Sequence, residues 1–164
     1  APAPPPAGSF PTEQARREAA LAKYSEVAAA YASTDAGRLA RFRAAAIHAE
    51  AGRLADAERE FKALADQGGS SLYVRMARLG LAELQVRQGQ FEPAIATFRE
   101  LASGAAGDLP VDAMLMQLAR AQVLAGKGGE AVQALTRIVD EFPQSPYAAE
   151  ARQELDRLKG AAGA

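Results

Sequence analysis

A set of apolar anchors returns every 37 residues along this chain, and that period restricts the fold more than any other feature. The segment AGRLADAEREFKAL (51–64) aligns with QGQFEPAIATFREL (88–101) and with AGKGGEAVQALTRI (125–138). Gly52, Gly89 and Gly126 coincide, as do Ala57, Ala94 and Ala131. Phe61, Phe98 and Leu135 form a third set, and Leu64, Leu101 and Ile138 a fourth. One step back, Ala20, Tyr24 and Val27 occupy the same phases. A period of this length describes a repeat array, in which no unit buries its apolar side alone and each must stack on its neighbours.

Each unit reads as a helix pair. The anchors after the glycine fall at i, i+4 and i+7, which is one face of a helix. Seven residues before each glycine stands Ala45, Ala82 or Ala119, small enough to let two helix axes approach at the short end of the usual range of about 8–10 Å. The glycine ends the first helix, where a left-handed residue is wanted. Composition agrees. About a quarter of the 164 residues are Ala, the best helix former, while Val and Ile are few and Trp is absent. The expected helices are 12–31, 35–50, 54–66, 71–88, 92–103, 109–125, 129–141 and 146–159. Ser145 with Pro146, Ser70 or Ser71, and Asp108 are the expected start signals.

The expected organisation follows: a Pro-rich extended linker over 1–11 (APAPPPAGSFP), a half-repeat over 12–34, repeats over 35–69, 70–107 and 108–144, a capping helix over 145–159 and a frayed GAAGA tail over 160–164. Gly68-Gly69 and Gly128-Gly129 read as turns, and bending is expected at 104–107 and 127–129.

Several functions are disfavoured by what the chain carries. The formal net charge is −1, from 19 basic and 20 acidic residues, so no basic face marks a nucleic-acid binder. With no cysteine there is no thiolate metal site. His48 is the single histidine, in a position where it reads as a packing residue. No Ser has a nucleophile-elbow context, and neither Gly-Gly pair precedes the Lys-Ser/Thr of a phosphate loop. We expect no cofactor, no metal and no catalytic residue. An enzyme would need a polar cluster, and only Glu83 and Arg120 could begin one. No run approaches the roughly 18 apolar residues of a membrane span.

The run Ala82…Gly89-Gln90-Phe91-Glu92-Pro93-Ala94…Phe98…Leu101 resembles a tetratricopeptide repeat, as does Ala119…Gly126…Ala131…Leu135…Ile138…Pro143. The resemblance covers about 12–159 and implies an all-α, right-handed α-solenoid of about eight helices that binds proteins or peptides. The departures are the period of 37 where 34 is usual, Leu54 and Gly128 in place of an aromatic, a single closing Pro143, and the missing Trp and Tyr of the first helix. The Pro-rich lead-in, the half-repeat YSEVAAAYASTDAGRLARFRAA and above all Tyr31–Ala40 resemble the periplasmic domain of the membrane-anchored ancillary subunit family of the SecYEG translocon. FPQSPYAAEA (Phe142–Ala151) is similar to repeat ends of outer-membrane assembly lipoproteins. These resemblances imply an envelope location behind an upstream anchor, with a cytoplasmic adaptor as the alternative.

In a helix-pair solenoid the first helices line the concave side. Their outward faces give Leu39, Phe42 and Ala46; then Met76, Leu79, Glu83 and Val86; then Met116, Arg120 and Val123; and Glu150 with Gln153 on the capping helix. Two arrangements satisfy this largely apolar stripe: a groove for an extended or helical peptide, with Met76 and Met116 as adaptable contacts, or burial, either inside a tightly wound superhelix or under the N-terminal helix 12–31.

Overall fold

In a computed structural model, residues 9–104, 107 and 109–162 are described, and among them lie eight helices and no strand. They are α1 (Glu13–Ala30), α2 (Asp35–Glu50), α3 (Leu54–Ala65), α4 (Leu72–Arg87), α5 (Phe91–Leu101), α6 (Val111–Leu124), α7 (Gly128–Glu141) and α8 (Ala148–Ala162). The chain forms two compact units, 1–77 and 78–164, and the boundary falls within α4.

The repeat glycine does the same work three times. Gly52, Gly89 and Gly126 have φ of 73°, 75° and 75°, in the left-handed region that costs other residues about 1–2 kcal/mol. The next amide then reaches back to the carbonyl five residues earlier: Arg53 to His48 at 2.9 Å, Gln90 to Gln85 at 2.8 Å and Lys127 to Gln122 at 2.8 Å. This is the Schellman closure, which satisfies carbonyls that the helix end leaves open.

In the first unit α1 packs on α2 and α2 on α3. Thr12 and Thr34 cap α1 and α2, their hydroxyls accepting from the amides of Ala15 and Gly37. Ala45, Ala57 and Leu64 are wholly buried, and Phe61 is 5% exposed. Ala20, Tyr24 and Val27 hold the corresponding places in α1 but are only half-buried. The difference is physical: α1 has α2 as its principal neighbour, whereas α2 packs on both α1 and α3.

In the second unit α5 packs on α6, α6 on α7 and α7 on α8. Its core gathers Ala82, Ala94, Phe98, Leu101, Leu115, Met116, Ala119, Ala131, Leu135 and Ile138, with Ala151 and Leu155 closing it from α8. The anchors Ala94, Phe98 and Leu101 and their counterparts Ala131, Leu135 and Ile138 are at most 1% exposed. Polar bonds lace successive second helices together: Arg99 meets Glu130, and Lys127 meets Glu92.

Some expectations need correction. Gly128 and Gly129 are not a turn but the first residues of α7. Their amides belong to the free N-terminal turn, so glycine costs little there. The tail expected from 160 is helical through Ala162, because alanines extend α8 past Gly160 at a cost of about 1 kcal/mol. Helix α8 starts at Ala148, two residues beyond Pro146, although Ser145 keeps a capping role: its hydroxyl accepts from the Tyr147 amide and donates to Asp112 Oδ2 at 2.6 Å. Linker residues 1–8, Asp108, Ala105, Ala106 and the last two residues lie outside the described part.

Candidate functional site

Helices α4, α6 and α8 hold equivalent places in the repeat, each being the first of a pair or the cap. A 37-residue step relates Glu83 to Arg120 and Val86 to Val123. Two hollows lie along these helices in the second unit. The larger, of about 510 Å³, is walled by Val123, Leu124 and Arg120 of α6 and by Glu150, Gln153 and Arg157 of α8, with Leu135 and Met116 at its floor. The smaller, of about 300 Å³, lies among Glu83, Val86, Arg87, Phe98, Gln117 and Arg120. Arg120 borders both.

The expected stripe divides between the two units. Leu39, Phe42 and Met76 belong to the first, where all three are half-buried. The Phe42 ring packs on Phe61 with centroids 5.7 Å apart and planes at 55°. Leu79, Glu83, Val86, Met116, Arg120 and Val123 belong to the second. There Met116 is core, 2% exposed. Leu79, Val86 and Val123 are half-buried, each with one side packed on the core. Glu83 and Arg120 are exposed. The stripe is therefore part floor and part wall: the first helices use its inner edge for packing and leave its outer edge open.

Sequence reasoning passed over Leu124, which is 58% exposed and forms the apolar lip of the larger hollow. The signal was present in the repeat register, where Glu50 and Arg87 precede it at the same phase and Leu124 is the single apolar member of that row. Gln117, Glu154, Arg157 and Arg87 were also missed.

The charged groups on the walls are mostly matched. Arg120 grips Glu150 of α8. Glu154 pairs with Arg157 one turn on, and the guanidinium holds its carboxyl below the usual carboxylate range. Glu83 differs. Its hydrogen-bond partner among the described residues is Gln117, whose Nε2 donates at 3.2 Å. The protein around the carboxyl removes water and pushes its pKa up, and the Gln117 hydrogen bond opposes this only in part.

His48, the single histidine, packs at the end of α2 with Nδ1 3.9 Å from Asp56 Oδ2 of α3. Among the described residues no cluster of three or more His, Cys, Asp or Glu is placed to hold a metal, and no helix is long and apolar enough to cross a membrane. What the second unit offers a ligand is an apolar floor, amide side chains and a few charges.

The chain matches the family model described as a tetratricopeptide repeat-like domain over residues 10–108, and the tetratricopeptide repeat model over residues 112–145. No curated protein sequence matches it significantly. Among solved structures it is similar to two crystal structures of nearly identical TPR-like repeats of a kinesin light chain from Podosopora anserina, one of them a single-site variant. Identities are 20% and 19% with TM-scores of 0.72 and 0.73, over 92% of this chain and 81% of each of those chains. At that identity the likeness is one of fold. The chain belongs to the tetratricopeptide repeat-like family.

Proposed function

We propose that this domain is a protein-interaction scaffold that holds a peptide segment of its partner along α4, α6 and α8. Repeats of this family are typically non-catalytic and mediate protein–protein contacts. The observation that carries the reading is the larger hollow: apolar-floored, about 510 Å³, with Leu124 exposed at its lip. A large aliphatic residue exposed beside an apolar-floored recess favours contact with an apolar side chain from a partner.

The finer reading is that the domain works in the cell envelope, tethered by a membrane segment, beside the protein translocon or its chaperones. Its support is the resemblance of Tyr31–Ala40 and of the Pro-rich lead-in to the translocon's ancillary subunit. A photo-crosslinking residue at position 124 of the protein in living bacteria tests both levels. Adducts with translocon subunits or envelope chaperones are expected, with none from a probe at Arg137 on the outer face of α7. Adducts confined to the outer position would overturn the groove reading. Adducts at 124 only with cytoplasmic proteins would overturn the envelope reading.

A further inference from the structure

The scaffold reading leaves open what kind of peptide the groove selects, and the charges around the smaller hollow bear on it. Two guanidiniums and one carboxylate line that hollow. Arg120 is turned away, bound to Glu150 on α8. Arg87, one turn along α4 from Glu83, makes no ion pair with it. An i,i+4 contact between them on an open helix surface would be weak and readily displaced. Glu83 is thus an exposed carboxylate at the wall of a recess, with a neutral amide as its hydrogen-bond partner among the described residues. Such a group is open to a cation brought by a ligand. The neighbouring hollow has an apolar floor and shares the Arg120 wall, so one bound segment can meet both. Side-chain bonds join α6 to α4 (Gln117 to Glu83) and to α8 (Arg120 to Glu150); at a helix spacing of about 10 Å, an extended chain covers the step in about three residues.

Building on the peptide-groove reading, we propose that Glu83 sets the specificity of the groove. It takes the lysine or arginine side chain of a peptide whose apolar side chain, three residues away, fills the hollow beside Val123 and Leu124. Gln117 holds the Glu83 carboxylate in place, and the Arg120–Glu150 pair forms the neutral wall between the two positions. The partner is a basic-apolar segment; a segment with an acidic residue at that spacing is rejected.

Fluorescein-labelled blocked hexapeptides test this, carrying one Leu and, three residues away in either direction, Lys, norleucine or Glu. Anisotropy should show the Lys peptide binding about two- to five-fold more tightly than the norleucine peptide, as for a largely exposed ion pair, with the Glu peptide weakest. In Glu83→Gln, which keeps the shape and the Gln117 hydrogen bond, the Lys preference should vanish while norleucine binding holds. Leu124→Asp should abolish binding of all three with the helical circular dichroism intact. Equal binding of Lys and norleucine peptides, or a Lys preference that survives Glu83→Gln, overturns the assignment and leaves the groove standing. Failure of every peptide to bind the unmodified protein removes the groove and the assignment with it.

Discussion

Arg120 holds Glu150 through both carboxylate oxygens: Nη2 lies 2.8 Å from Oε1 and 2.9 Å from Oε2, and Nε lies 3.3 Å from Oε1. The pair joins α6 to α8 across the wall of the larger hollow. Its side chains are 46% and 52% exposed, so water and salt screen it despite the good geometry. A double-mutant cycle of Arg120→Ala with Glu150→Ala, read by urea unfolding, should give a coupling of about 0.5–1 kcal/mol. It should shrink toward zero in 1 M NaCl. A coupling that large salt concentrations leave untouched would mean that the wall is dry.

Equivalent anchors should differ in stability according to their neighbours. Phe98 lies in the second unit's core and is 1% exposed, so Phe98→Ala should cost about 3–5 kcal/mol. Tyr24 has the same repeat phase but is half-buried on α1, whose principal neighbour is α2. Tyr24→Ala should cost less than half as much. Equal losses in denaturant titrations would show that α1 is covered by something other than α2.

Two glycine substitutions should move stability in opposite directions. A Cβ on Gly37 would sit 1.9 Å from the Tyr31 carbonyl oxygen, a backbone atom that cannot turn aside. Gly37→Ala should therefore destabilise by about 1–3 kcal/mol. Gly129 is in the first turn of α7 with open space where a Cβ would lie. Gly129→Ala should stabilise by about 0.4–1 kcal/mol by restricting the unfolded chain. Thermal melts of the two variants would settle the signs.

The carboxylates should give opposite pH trends. Glu83 has a pKa raised by loss of water, so the folded state holds its proton more tightly than the unfolded state. The penalty is absent below the ordinary carboxylate pKa, grows as pH rises through that value, and is complete above the folded pKa. Glu83→Gln should thus stabilise the domain at pH 7 and have little effect near pH 4. Glu141 is held low by its hydrogen bond from Arg137, and its contribution is present above the ordinary value and lost as pH falls through the lowered one. Glu141→Gln should destabilise at neutral pH and converge on the unmodified protein in acid. Stability curves for both variants between pH 3 and 8 provide the check.

The chain's own periodicity determined the helix pairs, their glycine ends and the residues at their seams. Ala45, Ala82 and Ala119 are buried because small residues at a fixed interval allow only one close approach of two helices, and that requirement is local enough to be written in sequence. Gly52, Gly89 and Gly126 were legible for the same reason, since their backbone angles admit little else. The candidate site was legible only as a stripe. Which part of each first helix turns inward depends on the helix packed behind it, so Met116 became floor and Leu124 became lip although both are large and apolar. The lone carboxylate of Glu83 likewise has no sequence signature. Arg87 stands four residues after it on the same helix, and only the packing of α4, α6 and α8 decided that Arg120 would answer Glu150 and leave Glu83 to an amide. Spacing along the chain fixes what meets within a helix pair, and the stacking of pairs fixes which groups are left to meet something else.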